Sequence, residues 1–242
     1  MEVAATSFAR MDLPAHYDAM RTAAIAAIAR GEAEIDNLID SPHDTRYGLT
    51  LLARPPARVT SAIEGLLADF RRIEPDQYYY PAADTHLTVM SIISCYDGFQ
   101  LAMIDPIKYV DLVGTITRNA RPFRVKFAGL TASAGSVIVQ GFPWGDGLET
   151  LRQDVREAFR SAGLQQSIDQ RYSIQTAHAT VIRFRKPLLD AARVLAAIEK
   201  YRAWPIGTFE VDRVELVAND WYQRTANTVR LATYSLGSAP RA

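Results

Sequence analysis

The sequence contains only one cysteine, Cys95, in 242 residues. A single thiol cannot form an internal disulfide, and it cannot supply the several thiolates of a cysteine-based metal cluster. The sequence also lacks an excess of either charge, because 27 Lys and Arg residues balance 27 Asp and Glu residues. Proteins that grip long stretches of nucleic-acid backbone carry a basic surface, so we expect no long duplex nucleic acid as a partner.

A long hydrophobic run is missing as well. Residues 23–29 are too few and too weakly hydrophobic to span a bilayer, and no leader pattern is visible. The composition, 48% hydrophobic and 22% charged, is ordinary for a globular protein with a core of its own. We therefore expect a cytoplasmic protein, monomeric and without membrane contact.

Histidine is scarce, with four in the chain, yet two of the four occupy the same tetrapeptide frame. The frame His-x-Thr-Val occurs at residues 86–89 and again at residues 178–181. Each copy lies in a stretch rich in Val and Ile, which predicts a β-strand. Residues i and i+2 of a strand face the same side, so each histidine shares a face with its threonine. The two copies predict two imidazoles and two hydroxyls that converge on one small anionic group.

The residues around the two frames repeat in the same order. A tyrosine precedes each histidine by six residues, at Tyr80 and Tyr172, and both types of residue recur after 92 positions. A strand, a proline-containing turn and an amphipathic helix precede each tyrosine. These segments are residues 47–52, 55–56 and 59–73 in the first copy, and residues 137–140, 142–145 and 148–162 in the second. Residues 123–127 parallel residues 209–213, and the remaining predicted elements are helices at 14–40 and 187–201 and a closing strand at 228–236.

This twofold repeat predicts an α+β fold: a duplicated, bilobal domain with two antiparallel-sheet lobes around a central cleft and the helices outside. We expect residues 1–45 to form an N-terminal helical extension and residues 46–242 to form one bilobal domain. The repeat spans about 47–130 and 136–236, and no long linker separates its halves, so the lobes are expected to interleave.

Two histidines that face each other across a cleft can act as a general base and a general acid near neutral pH. The neutral imidazole deprotonates a water or a ribose hydroxyl, and the protonated one donates to the departing oxygen of a phosphodiester. Threonine hydroxyls can donate hydrogen bonds to phosphate oxygens as charge builds up. The candidate catalytic residues are therefore His86, His178, Thr88 and Thr180. No third ligand with suitable spacing stands out, so we expect neither a metal nor a cofactor.

The two His-x-Thr frames and the order of the repeat resemble the 2H phosphoesterase superfamily, which includes LigT-like RNA ligases and cyclic phosphodiesterases. The resemblance extends from about Tyr47 to Leu236. It implies a LigT-like duplicated fold and metal-independent cleavage of nucleotide or RNA phosphodiesters, often 2′,3′-cyclic phosphates. The expected partner is therefore a nucleotide or RNA-end phosphodiester substrate, either cyclic or 2′-linked.

Four aromatic residues are candidates for substrate binding: Tyr80, Trp144, Tyr172 and Tyr222. By the repeat, Tyr80 and Trp144 flank the histidine strands, where they could stack on a nucleobase or plug the core beneath their loops. Trp221 and Tyr222 follow a strand and could rim the cleft or cover the lobe. Arg183 shares strand parity with neither His178 nor Thr180, so we expect it to point away from the cleft.

Two other functions fit the same pattern. RNA 2′-5′ ligation or RNA-end processing uses the reverse or sibling chemistry. A nucleotide-binding module could keep the fold without turnover, although a binder has no need of an acid–base pair. The intact histidine and threonine in both frames favour an enzyme.

Overall fold

The computed structural model describes residues 11–170 and 173–237, and all statements of structure concern these residues. Their nine strands form two antiparallel sheets. The first sheet has the order β3-β1-β8-β9, with β1 at Arg46–Ala53, β3 at Leu87–Asp97, β8 at Arg213–Asp220 and β9 at Val229–Ser235. The second has the order β2-β6-β5-β4-β7, with β2 at Tyr78–Tyr79, β4 at Phe123–Ser133, β5 at Ser136–Trp144, β6 at Ala179–Arg183 and β7 at Pro205–Val211.

Five helices cover the outer faces of the two sheets in the described residues. They are α1 at Leu13–Ala29, α2 at Ala57–Ile73, α3 at Pro106–Asn119, α4 at Gly147–Ser161 and α5 at Ala191–Lys200. Helix α2 follows a strand of the first sheet but packs against β7 of the second. Helix α4 follows a strand of the second sheet but packs against β3 of the first. The duplicated α+β architecture expected from the repeat is confirmed. No described helix is both long and apolar enough to cross a membrane.

The two segments that correspond to each other in the repeat, 123–127 and 209–213, pair side by side in the second sheet. Phe123 pairs with Val211, and Val125 pairs with Phe209, in the antiparallel register of β4 and β7. A shift of 86 residues leads from Phe123 to Phe209 and from Val125 to Val211. The two pairs are therefore equivalent, and a local pseudo-twofold axis passes between them. The two equivalent segments of the sequence repeat thus pair with each other in the structure.

The predicted helix at 14–40 is too long, because α1 ends at Ala29. Gly31 adopts a φ of 75°, a left-handed conformation that glycine reaches without strain. The Glu32 amide then donates to the Ala27 carbonyl at 2.9 Å, which closes the helix end in the manner of a Schellman motif. Residues 30–45 form a loop with turns, and the extension is therefore only partly helical.

Helix α1 is packed on the second sheet. The Tyr17 hydroxyl donates to the Gly141 carbonyl at 3.1 Å, and the Thr131 hydroxyl donates to the Tyr17 carbonyl at 2.9 Å. Tyr17 is 1% exposed, so burial of this side chain and both hydrogen bonds fix the helix to β4 and β5.

The predicted elements omit helix α3, although the sequence carries its start signal. The Asp105 side chain accepts from the Ile107 amide at 3.2 Å, and Pro106 occupies the first turn. The turn predicted at 142–145 is also displaced, because β5 continues to Trp144 and pairs there with Arg124 of β4.

Candidate active site

Each His-x-Thr frame is followed by a β-bulge at the same place. In β3, Thr88 pairs with Leu52 and Met90 with Leu51, so Val89 is the extra residue. In β6, Thr180 pairs with Ile138 and Ile182 with Val137, so Val181 is the extra residue. A bulge inserts one residue into the alternation of a strand and reverses which residues face the cleft.

The bulges bring Ser91 and Arg183 to the cleft, at equivalent positions three residues beyond Thr88 and Thr180. Simple alternation would turn Arg183 away from the cleft, and that prediction is wrong because Val181 shifts the parity by one. Both residues line the cavity that the two motifs share. The basic side chain of Arg183 therefore lies in the cavity with the second motif, and the hydroxyl of Ser91 lies there with the first.

The four candidate catalytic residues come together in one cavity of about 140 Å³ between the two sheets. His86, Thr88, His178 and Thr180 all line it, and each is partly exposed there. One water molecule needs roughly 10–15 Å³ of such space, so the cavity has room for a phosphate group and a few attached atoms.

The two imidazoles are held by different partners. Nδ1 of His86 lies 2.7 Å from the Asp84 carbonyl oxygen, whereas Nδ1 of His178 lies 2.6 Å from the Thr176 hydroxyl. A carbonyl can only accept, so Nδ1 of His86 carries a proton and the Nε2 of the neutral ring is its acceptor atom. The Thr176 hydroxyl can donate to Nδ1 of His178, which leaves the proton of that ring on Nε2.

Burial lowers the pKa of both imidazoles, to about 4 for each. For His86 the hydrogen bond to the Asp84 carbonyl opposes this effect, and the nearby Arg54 charge adds to it. For His178 the charges of His86 and Arg152 lower the pKa further. Both rings are therefore neutral at pH 7 in the free protein, and an anion bound between them would favour a proton on one of them.

Tyr80 lines the cavity but is only 2% exposed, so its ring cannot serve as an open stacking platform. Its hydroxyl accepts a hydrogen bond from Nε of Arg183 at 2.9 Å. The Asp36 carboxylate lies 3.8 Å from Nη1 of Arg183 on the other side. Tyr80 therefore orients the cleft arginine, with help from the loop that follows α1.

The structure does not bring two of the other candidate substrate-binding residues, Trp144 and Tyr222, into the cavity. Trp144 is 53% exposed at the end of β5 and is not part of the cavity wall. Tyr222 is 1% exposed, and its hydroxyl donates to Asp36 at 2.9 Å. Its neighbour Trp221 lines the cavity instead. Tyr172 lies outside the described residues.

Arg152 is a residue near the site that the sequence patterns do not reveal. It lies on α4, is 1% exposed, and donates to the backbone carbonyls of Thr88, Val89 and Thr176. Its only sequence signal is a charged residue at a buried position of an amphipathic helix.

Metal-ligating side chains do not cluster in the described part of the chain: no three His, Cys, Asp or Glu residues there are arranged to hold an ion. The wall of the cavity carries imidazole, hydroxyl and guanidinium groups.

Comparison with solved structures identifies the fold. TT0787 of Thermus thermophilus is 17% identical, with a TM-score of 0.55, over 78% of this chain and 97% of that chain. Escherichia coli LigT in complex with 3′-AMP is also 17% identical, with a TM-score of 0.52, over 79% of this chain and 98% of that one. The chain has the fold of LigT.

A third structure with this fold has no assigned activity. ATU0111 of Agrobacterium tumefaciens, described as a conserved protein of unknown function, is 12% identical with a TM-score of 0.58, over 86% of this chain and 98% of that chain. No protein-family model matches this sequence, and no curated protein matches it. Structural likeness at these identities establishes the fold alone.

Proposed function

We propose that this chain is a 2H phosphoesterase that hydrolyses a cyclic or 2′-linked nucleotide phosphodiester, with 2′,3′-cyclic phosphates as the first candidates. The observation that carries the proposal is the convergence of both His-x-Thr motifs on one small cavity. Both imidazoles have their Nδ1 atoms engaged, so in this proposal their Nε2 atoms act on a phosphate bound between the two rings.

His86 is the general base in this proposal, and His178 is the general acid. The free lone pair on Nε2 of His86 takes a proton from water as the water oxygen bonds to phosphorus. His178, protonated once the phosphate anion has bound, gives its Nε2 proton to the ribose oxygen as that P–O bond breaks. The net reaction adds one water and leaves a phosphomonoester and a ribose hydroxyl, so the protons balance.

Charge stabilisation falls to three side chains. The hydroxyls of Thr88 and Thr180 share a face with the histidines and can donate to the non-bridging phosphate oxygens. Arg183 adds a permanent positive charge held by Tyr80 and Asp36. Removing one such donor from an active site costs about 10²–10³-fold in rate in other enzymes, which is the scale expected for either threonine.

The nucleotide part of the substrate is supported less directly. LigT, which has the same fold, has been crystallised with 3′-AMP, the kind of product that hydrolysis of a 2′,3′-cyclic phosphate yields. The cavity is too small for a duplex, and the formal net charge of the chain is zero. A single nucleotide or the end of an RNA strand fits both observations.

Turnover of a panel of four 2′,3′-cyclic nucleotides tests the proposal. We expect hydrolysis to a single monophosphate isomer, with activity retained in EDTA because an imidazole pair supplies both proton transfers. Formation of 2′-5′ linked RNA without hydrolysis would favour the ligase alternative. Nucleotide binding without turnover would favour the binding-module alternative, and either result would contradict the proposal.

A further inference from the structure

Arg152 is placed so that it contacts both motifs from one helix. Its Nε donates to the Val89 carbonyl at 3.0 Å, and Nη2 donates to the Thr88 carbonyl at 3.1 Å. Nη2 also donates to the Thr176 carbonyl at 2.7 Å. Val89 is the bulge residue of the first motif, and Thr176 holds the ring of His178. One guanidinium thus connects β3, which begins directly after His86, with the loop that leads to His178.

The burial of this guanidinium carries an electrostatic cost. Arg152 is 1% exposed, and within the described residues it forms no ion pair, since its hydrogen bonds go to carbonyl oxygens. Burial lowers the pKa of Arg152 to about 10, so the side chain remains charged at neutral pH. A buried cation without a carboxylate is destabilising compared with a well-packed apolar side chain.

The internal repeat shows that packing does not require the charge. Helices α2 and α4 align at an offset of 89 residues, with the buried pairs Val59/Leu148, Leu66/Val155 and Phe70/Phe159. At that offset the counterpart of Arg152 is Ile63, which is 2% exposed in the core. The first repeat fills the same place with an aliphatic side chain, so the arginine serves a purpose other than filling space.

We propose that Arg152 is a positioning residue that holds the two His-x-Thr motifs at the spacing needed to act on one phosphate. The proposal rests on the function proposed above and deepens it. Thr88 and the bulge at Val89 set the cleft face of β3, and Thr176 sets the orientation of His178. Without the bridging guanidinium, β3 of the first sheet and the loop that leads into β6 of the second sheet can move apart.

Three groups besides Arg152 contribute charge at His178. They are His86 from the start of β3, His16 from α1 and Arg183 from β6. All are cationic when charged, so each disfavours a proton on His178. Removing the charge of Arg152 therefore makes His178 easier to protonate, whereas a lysine at position 152 preserves that effect.

Two substitutions separate spacing from charge. Arg152→Met matches the aliphatic character of the other repeat, and Arg152→Lys keeps the charge but loses the forked geometry that reaches both β3 and the loop before β6. We expect both variants to remain folded by circular dichroism. We also expect kcat to fall about 10- to 100-fold with KM changed less than about threefold, the scale of a misplacement near 1 Å.

Arg156→Met is the matched control, because Arg156 lies one turn along the same helix. It donates to the Ile174 carbonyl and pairs with Glu149 and Asp169, but it contacts neither motif. This control should keep kcat within about threefold of the wild type. An NMR titration should show the His178 signal protonating at higher pH in Arg152→Met, and at the wild-type pH in Arg152→Lys and Arg156→Met.

Each outcome decides the proposal. Wild-type kcat in Arg152→Lys, an equal loss in Arg156→Met, or unfolding of both Arg152 variants would overturn it. If the wild-type protein turns over no cyclic nucleotide, the proposed function has failed. The positioning role is then decided by titration with inorganic phosphate, which should shift both histidine signals with one Kd and should bind at least tenfold more weakly to both Arg152 variants.

Discussion

At the scale of single residues, the two histidines are alike in sequence and different in surroundings. Asp84 and Thr176 occupy equivalent positions, two residues before each histidine, at the same offset of 92. The backbone of the first and the side chain of the second contact Nδ1, and the proposed mechanism assigns base and acid from this difference. The sequence repeat predicts the pair but cannot assign base and acid, since the assignment depends on which atom of the preceding residue reaches the ring.

The pH dependence of the rate follows from the lowered pKa of both rings. Each imidazole has a pKa of about 4. As the pH rises above that value, the free protein therefore loses the proton that the mechanism needs on one of the two rings. We therefore predict that kcat/KM falls as pH rises from about 5 to 8. A bound phosphate raises the imidazole pKa, so the maximum of kcat should lie at higher pH than that of kcat/KM. Steady-state rates across this range test the prediction, and a kcat/KM that rises up to pH 8 would contradict it.

At the scale of elements, the position of His178 depends on how closely β5 approaches the segment before β6. A Cβ atom added at Gly141 would lie 1.8 Å from the carbonyl oxygen of Ala177, the residue before His178. We predict that Gly141→Ala displaces this backbone, lowers the melting temperature and reduces turnover at least tenfold, because the ring moves with the chain. Gly65→Ala is the matched control.

Gly65 lies on the exposed side of α2 with no atom within 4 Å of an added Cβ. Alanine there should stabilise the helix by about 0.5–1 kcal/mol and leave turnover unchanged. Thermal unfolding and initial rates of both variants check the pair. Equal activity in Gly141→Ala and the wild type would mean that the approach of β5 does not set the site.

The strands and helices also show which structural features a sequence pattern can predict and which it cannot. The histidine strands, their face-sharing threonines and the helix before each were predictable because alternation and amphipathic spacing are local properties. The bulges at Val89 and Val181 were not, since an extra residue is defined only by the register of the partner strand. For the same reason Arg183 was predicted to face away. Helix α3 could have been found, because Asp105 and Pro106 form a recognisable helix start.

At the scale of the whole molecule, neither sheet contains a complete site. Thr88 lies on the first sheet, with His86 directly before its strand β3. Thr180 and Arg183 lie on the second sheet, with His178 directly before its strand β6. Helices α2 and α4 each cross to the opposite sheet, and the loop after α1 reaches the site through Asp36. We propose that residues 46–242 form one bilobal unit and that the preceding segment completes the support of its cleft arginine.

The most direct test of this account is whether the two lobes act as one catalytic unit, measured by turnover of a 2′,3′-cyclic nucleotide in a double-mutant cycle. We predict that His86→Ala and His178→Ala each reduce kcat by about 10²–10⁴-fold, the usual contribution of a general acid or base. The double variant should be little slower than the slower single variant, because both groups act in the same step. His43→Ala, an exposed loop histidine, is the control and should match the wild type. Single variants with wild-type turnover, or losses that multiply in the double variant, would contradict the two-histidine mechanism.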